Sequence, residues 1–259
     1  MKFNRKINPN NKTEHNFITK KRLKEDEIDF NKLRSYRLDR VKKELEKNNL
    51  EACILFDPVN IRYALDTVNM SVHNMHNLTR YCFVPIKGPV ILYEYFNCEK
   101  LSEHLNLIDE IRPAISWDYF GNGSQVDAKL KEWINEISDL SNSYFKSKKI
   151  AIDVLNGPAV LALDKIGIKV VDAKSILEKA RVIKSPEELK CMKAALEVAE
   201  IGVSKMRNQL KAGMTEDELW SILHKTNIEN GGEWIAVSYT HLRAHETLRY
   251  LVCRLLLEK

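Results

Sequence analysis

Two histidines three residues apart, His73 and His76, are the side chains in the polar segment Asn69–Asn77 best suited to chemistry. An imidazole can bind a metal, exchange a proton or contact a substrate. A metal site needs at least a third protein ligand, and none lies nearby in the sequence. The sequence therefore favours substrate contact by Asn69, His73, His76 and Arg80 over metal binding, with an ordinary polar loop as the alternative.

A second histidine pair, His241 and His245 beside Glu246, has the i, i+4 spacing that presents metal ligands on one helix face. The pair lies in Val237–Lys259, which reads codon by codon as a translated sequencing-library adapter. Adapter DNA was never selected to bind a metal, so no metal site is predicted there. We expect the genuine protein sequence in this chain to end at Ile235, where the adapter begins to replace it, and the adapter-derived tail to make few contacts with residues 32–175.

Strand-like and helix-like patterns alternate between residues 32 and 175, which predicts one α/β domain with a mixed sheet. The predicted strands are Ala52–Phe56, Ile61–Leu65, Tyr81–Val84, Val90–Tyr95, Lys149–Val154 and Lys169–Val171. The predicted helices are Lys32–Asn48, Asn97–Leu107, Val126–Leu140 with Ser124 as its N-cap, and Gly157–Ile166.

The pattern becomes helical after residue 175. Helices are predicted over Ser175–Val182, Pro186–Leu210 and Glu216–Asn230. Ser185 precedes a proline and two glutamates, and Thr215 precedes a similar acidic turn, so both are predicted N-caps. The chain is therefore divided into a basic arm (1–31), the α/β domain (32–175), the start of a second domain (176–235) and the adapter-derived tail (237–259).

Length and composition exclude several classes of protein. The chain has 259 residues, 44% hydrophobic and 30% charged, which fits globular domains and excludes collagen-like or globally disordered chains. No apolar run approaches the length of a membrane span, and no secretory signal is predicted. Five scattered cysteines fit reduced thiols, so we expect a cytoplasmic protein.

Positive charge is concentrated at the amino terminus, where residues 1–24 carry eight Lys and Arg against a single Glu. Such an arm can contact nucleic acid or acidic lipid, but a solvated, poorly ordered extension is the favoured interpretation. Nothing later repeats the basic pattern with interleaved aromatic residues. Neither a nucleic acid nor a membrane is therefore a predicted partner.

Two strings in the helical region carry a family resemblance. Arg181–Leu189, followed by Ala194, Ala195 and Ala199, resembles the entry helix of the pita-bread catalytic domain, and Ala212–Leu219 resembles its next turn and helix. Each string alone is only a well-capped helix start. Their order, their spacing and the preceding α/β domain together resemble the creatinase, prolidase and aminopeptidase P superfamily, peptidase family M24.

A further set of residues narrows the resemblance to a branch of bacterial Xaa-Pro-peptidase-like proteins that includes the dimethylsulfoniopropionate lyases. The set comprises Tyr36–Arg40, Leu55–Pro58, Asn60–Tyr63, Asp66-Thr67, Asn69-Met70 and Gly231–Ile235. Within this branch, Asn77–Tyr81 looks more like the peptidases, and the lyases carry an aromatic residue at the position of His73.

The resemblance implies a creatinase-type N-terminal domain followed by the first helices of a truncated pita-bread domain. It implies a parent Xaa-Pro dipeptidase or aminopeptidase P, with a lyase or a non-catalytic protein-binding module as alternatives. Such enzymes hold two divalent metal ions (Mn, Zn, Co or Fe) with two Asp, one His and two Glu, all downstream of Ile235. None of these ligands can be carried onto this sequence, so the chain by itself is predicted to be inactive.

The resemblance also bears on assembly and on one more residue. Relatives are homodimers in which loops of this domain reach the partner's active site, where a peptide or small-molecule substrate binds. Trp234, after Gly231 and Gly232, resembles a residue of the pocket wall, with an exposed chain end as the alternative.

Overall fold

A computed structural model describes residues 27–232 of the protein. Most of the predicted basic arm, Trp234 and the whole predicted tail, including His241 and His245, lie outside this range. The described residues contain both strands and helices up to residue 182 and are helical thereafter. The strands are β1 (Ala52–Leu55), β2 (Tyr81–Pro85), β3 (Ile91–Glu94), β4 (Glu110–Pro113), β5 (Lys149–Ile152) and β6 (Lys169–Asp172). The helices are α1 (Phe30–Lys47), α2 (Pro58–Leu65), α3 (Ser71–His76), α4 (Tyr119–Asn122), α5 (Val126–Tyr144), α6 (Gly157–Lys165), α7 (Lys174–Val182), α8 (Pro186–Gln209) and α9 (Glu216–Glu229).

The strands form one mixed sheet in the order β4-β3-β2-β1-β5-β6. Strand β2 runs antiparallel to both β1 and β3. The pairs β3–β4, β1–β5 and β5–β6 are parallel. The consecutive parallel pairs β3–β4 and β5–β6 are joined by longer connections, as parallel strands require, and the mixed sheet with helices confirms the predicted α/β class.

Each face of the sheet is covered by its own hydrophobic core. Side chains alternate along a strand, so Cys53 and Leu55 of β1 face one core while Ala52 and Ile54 face the other. The first core receives α1, α2 and α7, and the second receives α5 and α6. Trp133 of α5 is fully buried in the second core.

Two predicted elements are wrong. Ile61–Leu65 is not a strand but the end of helix α2, because the Asp57 carboxylate caps the helix by accepting from the Val59 and Asn60 amides. Asn97–Leu107 is not a helix: it contains a single 3₁₀ turn, Glu99–Leu101, followed by successive i, i+3 turns.

Two smaller differences also separate the prediction from the structure. Strand β4 was missed because its sequence, Glu-Ile-Arg-Pro, has no strand-like apolar pattern, and it forms a strand by pairing with β3. Ser124 is not the N-cap of α5; Gln125 occupies that position, and its side chain makes no capping hydrogen bond.

Both predicted caps of the last two helices are confirmed. Ser185 and Glu188 form a reciprocal capping box at α8, and Thr215 and Glu218 form another at α9. The two helices pack closely where Gly202 faces α9, since a Cβ at Gly202 would lie 2.5 Å from Leu223 Cδ1. The rest of α8 presents an apolar stripe to solvent that comprises Leu189, Met192, Leu196 and Val203.

Polar contacts from α1 attach the start of α8 to the α/β unit. Arg37 Nε donates to Glu188 Oε1 at 2.9 Å, and the Tyr36 hydroxyl donates to the carbonyl of Ile183 at 3.0 Å. The Asp29 amide donates to Glu187 Oε2 at 2.9 Å. Helix α1 therefore sets the direction in which the chain leaves the α/β unit. Within residues 27–232, no helix has the length and apolar character that crossing a membrane requires.

Candidate functional site

Helix α3 brings His73 and His76 together at the edge of the sheet formed by strand ends, where β2 begins and β3 ends. The two imidazoles, with Asn77, line an open depression of about 550 Å³ whose remaining lining comes from Met70, Ser71 and Val72. His76 is exposed and His73 is half-buried. The sequence prediction treated this segment as a loop; the structure shows a short helix instead.

Helix α3 has little stability of its own. It is only six residues long, and its N-cap, Met70, provides no capping hydrogen bond. Met70 also has φ 42° and ψ 48°, the left-handed conformation that a residue with a Cβ adopts at a cost. Short helices are marginal in water even with good caps, so tertiary contacts must hold α3 in place.

A buried ion pair beneath α3 supplies the first of those contacts. Arg80 is 1% exposed and Glu94 is fully buried, and Arg80 Nε donates to Glu94 Oε2 at 2.9 Å. The other carboxylate oxygen of Glu94 accepts from Asn69 Nδ2 at 3.1 Å. Arg80 Nη2 donates to Thr67 Oγ1 at 2.7 Å. Both Thr67 and Asn69, which immediately precede α3, are therefore tied to the same pair.

A second polar cluster holds the middle of α3. Asn74, 2% exposed, accepts from the Tyr95 hydroxyl at 2.6 Å and donates through Nδ2 to the carbonyl of Asn69 at 2.8 Å. Thr79 Oγ1 lies 2.7 Å from the Tyr95 hydroxyl. Burial raises the pKa of Tyr95, which favours the protonated hydroxyl that donates to Asn74.

The immediate surroundings of His73 are aromatic on one side and polar on the other. Its ring centroid lies 6.1 Å from that of Tyr95 and 6.4 Å from that of Phe120, whose side chain is 86% exposed. Asn77 Nδ2 lies 3.3 Å from His73 Nδ1, and Nε2 of His73 has no hydrogen-bond partner within residues 27–232. An imidazole in this setting can contact a ligand through Nε2 while Asn77 fixes its ring.

The predicted site residues occupy different depths of this edge. His73 and His76 line the depression, and the half-buried Asn69 lies directly before it. Arg80 lies below, with its guanidinium directed to Glu94 and Thr67 rather than to solvent. Trp234 lies outside the described residues.

The sequence prediction missed the polar residues that support α3. Glu94, Asn74 and Tyr95 are the principal ones, and Thr67 and Ser102 complete the set, with 2.5 Å between their hydroxyl oxygens. One signal was available: Glu94 ends the apolar run Val90–Tyr93, and a carboxylate in such a run is buried only when it is paired. Its partner depends on strand register, which the sequence does not show.

A different buried carboxylate, Asp153, lies where the parallel strands β1 and β5 end. It accepts from the backbone amides of Phe56 at 2.8 Å and Val154 at 2.7 Å, and from Asn60 Nδ2 at 2.9 Å. Burial raises the pKa of Asp153. Because its oxygens are already occupied by this chain's own donors, Asp153 joins two strand ends and is not available to a ligand.

No group of three or more His, Cys, Asp or Glu side chains within residues 27–232 has the arrangement of a metal site. The histidines of the depression also lack a carboxylate among its lining residues. A catalytic two-metal centre therefore does not fit the described part of the chain.

A mixed sheet covered on both faces, followed by a pair of capped helices, defines the class of protein. The family model of the creatinase/prolidase N-terminal domain matches residues 37–183. The chain belongs to this family, and through it to the creatinase, prolidase and aminopeptidase P superfamily. The resemblance carried by the sequence strings is thereby confirmed.

Two curated relatives show the similarity at the sequence level. They are the dimethylsulfoniopropionate lyases DddP of Roseobacter denitrificans and Roseovarius nubinhibens, each 32% identical over 213 residues. Each alignment covers 80% of this chain and 48% of the relative. The chain thus spans about half the length of the curated relatives it matches.

Solved structures show the same fold at lower identity. The prolidase from Thermococcus sibiricus matches with a TM-score of 0.56 at 16% identity, over 77% of this chain and 50% of that one. The X-Pro aminopeptidase from Thermotoga maritima matches with a TM-score of 0.54 at 15% identity, over 75% of this chain and 51% of that one. At these identities the likeness establishes the fold alone.

Proposed function

We propose that this chain forms the amino-terminal portion of an M24-type metallohydrolase of the Xaa-Pro dipeptidase or aminopeptidase P kind. In this proposal, Asn69, His73 and His76 contact the substrate. The observation that carries it is the family match over residues 37–183, combined with two imidazoles that line one open depression. A peptide with a carbonyl or carboxylate near this edge could accept a hydrogen bond from either histidine.

In this proposal, the metal ions are bound by residues outside 27–232. The superfamily resemblance implies two divalent ions, Mn, Zn, Co or Fe, which polarise the scissile carbonyl when bound. Residues 27–232 do not fit such a centre, because no group of three ligands lies among them. We place the metals in residues encoded beyond Ile235 and give the described edge a binding role only.

A lyase is the second candidate, and one observation favours it specifically. The curated relatives with 32% identity are both dimethylsulfoniopropionate lyases, whereas the Thermococcus sibiricus prolidase and the Thermotoga maritima aminopeptidase are 16% and 15% identical. Elimination of dimethyl sulfide from that substrate needs a base near the carbon next to its carboxylate. The described edge would then contact the carboxylate rather than a peptide.

We also propose that the working protein is a cytoplasmic homodimer. Exposed apolar residues surround the depression, including Phe120 at 86% and Met70 at 57% exposure, and they are suited to lie against a second subunit. In this arrangement the edge with His73 and His76 would face the partner's catalytic centre. If the complete protein shows no activity, a non-catalytic role in binding another protein becomes the favoured function.

The test uses the protein expressed from the complete gene. Genomic DNA read past the codon of Ile235 is expected to encode two Asp, one His and two Glu in that order. The purified protein is assayed with Xaa-Pro dipeptides and dimethylsulfoniopropionate side by side, before and after metal chelation. Proline release lost on chelation supports the peptidase, and dimethyl sulfide release supports the lyase. Absence of the five ligands together with no turnover would contradict both enzymes.

The contribution of the described edge is tested by His73→Ala and His76→Ala in that protein. Loss of a hydrogen bond to the substrate lowers kcat/KM by about tenfold. Lys129→Ala, on the exposed surface of α5, is the control and should leave kcat/KM unchanged. Wild-type kinetics in both histidine variants would show that the edge does not touch the substrate.

A further inference from the structure

Side chains of other elements hold α3 both at the residues before the helix and at a residue within it. On the side before the helix, Thr67 and Asn69 are bound by two different groups of one buried ion pair. Within the helix, Asn74 is bound to Tyr95. The helix itself contributes only six residues and an uncapped, left-handed start. The position of α3 is therefore set mainly by the side chains beneath it.

The ion pair belongs to the sheet and not to the site segment. Arg80 directly precedes β2 and Glu94 is the last residue of β3, and the ladder pairs Tyr81 with Tyr93. Arg80 and Glu94 are thus the next cross-strand pair beyond that rung, with their side chains on the same face. The pair therefore connects the sheet, through Thr67 and Asn69, to the segment that carries the histidines.

The guanidinium is needed because it contacts two groups at once. Nε bonds Glu94 while Nη2 bonds Thr67, 2.9 and 2.7 Å away. A planar fork can satisfy both in one orientation, whereas a lysine ammonium is a single point of charge on a flexible stem. Replacing Arg80 by lysine should therefore keep the charge beside Glu94 and lose the fixed link to Thr67.

We propose that Arg80 and Glu94 are positioning residues: their buried pair, through Thr67 and Asn69, fixes the start of α3 and so sets where His73 and His76 stand. This assigns Arg80 a role different from the substrate contact that its sequence position indicated. The proposal rests on the proposed function only where substrate turnover is concerned. The placement of the two imidazoles can be measured without any substrate.

The structural arm of the test uses NMR of the protein from the complete gene, labelled at histidine. Arg80→Lys and Glu94→Gln should shift or broaden the imidazole signals of His73 and His76 while the circular dichroism remains that of a folded protein. Arg112→Lys is the matched control, since Arg112 pairs with Glu110 and Glu136 and makes no recorded hydrogen bond to α3. Should either buried variant fail to fold, Asn69→Ala removes the link from Glu94 to α3 and leaves the ion pair intact.

The kinetic arm asks whether Arg80 acts through the histidines. A displacement of about 1 Å can cost about a hundredfold in rate, so kcat/KM of Arg80→Lys should fall between tenfold and a hundredfold. Adding His73→Ala and His76→Ala to Arg80→Lys should lower kcat/KM little beyond the double histidine variant. Such non-additivity is expected of residues that act through one another.

The two arms separate this proposal from the proposed function. Unchanged imidazole signals in Arg80→Lys, Glu94→Gln and Asn69→Ala would overturn the positioning role, whatever the activity. Fully additive losses in the combined variant would overturn it as well. Shifted imidazole signals with unchanged turnover in the histidine variants would instead remove the substrate contact and leave the positioning role standing.

Discussion

The α/β unit and the α8–α9 pair are built by different means. In the α/β unit, buried side chains such as Val41, Ile54 and Trp133 form two cores, one on each face of the sheet. In the helical pair, large hydrophobic side chains on α8 remain between 46% and 61% exposed, and burial is confined to a few positions such as Met206 and Leu219. The first region is held by two cores, whereas the second is held by the packing of α8 against α9, by the caps of both helices and by contacts of α8 with α1.

This difference separates two kinds of information in one chain. A capping box involves only residues three apart, so it can be predicted from the local sequence. A core needs elements that are distant in the chain to meet, as α1 and α7 do on one face of the sheet. The local sequence is therefore sufficient to predict the two helices of the pair. Within residues 27–232, however, no other element covers the apolar stripe of α8.

The largest difference in the loss of stability on substitution is expected between a core aromatic residue and an exposed residue of the apolar stripe on α8. Trp133 has no exposed surface and lies 4.4 Å, centroid to centroid, from Trp117. Trp133→Ala should lower the free energy of unfolding by about 3–5 kcal/mol, since it leaves a cavity. Leu196→Ala, at a residue 61% exposed, should change it by less than about 0.5 kcal/mol.

Urea unfolding of this chain measures both variants. The comparison is sharpened by repeating Leu196→Ala in the protein from the complete gene. A cost there close to that of a buried leucine would show that residues outside 27–232 cover the stripe. Equal costs for Trp133→Ala and Leu196→Ala in this chain would contradict the distinction between the two regions.

A buried ion pair should likewise contribute more to the free energy of unfolding than an exposed one. Arg80→Ala leaves Glu94 buried without its partner and should cost about 3–5 kcal/mol of stability. Lys129→Ala removes a pair whose two side chains are 43% and 51% exposed, and should cost about 0.2–1 kcal/mol. Denaturant midpoints at low and high salt check both, because only the exposed pair should weaken with salt. A loss below 1 kcal/mol in Arg80→Ala would show that the buried pair contributes little.

A hydrogen bond between α2 and α7 makes the stability of the protein depend on pH in the alkaline range. The Tyr63 hydroxyl donates to the carbonyl of Ala180 at 2.9 Å, and burial raises the pKa of Tyr63 to about 12. The unfolded chain releases this proton near the ordinary value of 10, so the stability it confers is present below pH 10 and lost as pH rises towards 12.

Tyr63→Phe tests this response. At neutral pH the variant should be less stable by about 1 kcal/mol, because one hydrogen bond is removed. Between pH 10 and 12 the difference in unfolding free energy between the two proteins should shrink, since only the wild type loses stability through Tyr63. A difference that stays constant over this interval would contradict the assignment.

The smallest difference in the loss of stability is expected between variants of the two capping boxes. Ser185→Ala should cost about 1 kcal/mol, the usual loss for a removed N-cap. The cost should exceed that of Thr215→Ala, because Ser185 is 7% exposed and its partner Glu188 also binds Arg37, whereas the box of α9 is exposed. Hydrogen exchange in the first turns of α8 and α9 measures each loss separately. A larger effect at Thr215 would reverse the ranking of the two helix starts.

Sequence patterns predicted most of the fold and part of the site. The alternation of apolar residues predicted β1, β2 and β5, and local caps predicted α8 and α9. The α2 segment was wrong even though its signal was local, because Asp57-Pro58 is equally typical of a turn and of a helix start. The proximity of His73 and His76 followed from their spacing, but the helix that carries them did not.

By itself, the sequence determined the capped helix starts, the two-residue alternation of the buried strands and the types of residue available for a site. These features depend on residues a few positions apart, and their physics is complete within such a span. Only the tertiary structure decided that Arg80 meets Glu94, that β4 joins the sheet and that α3 keeps its uncapped start. Each of those depends on strand register and on burial, and both arise only when distant parts of the chain have already packed together.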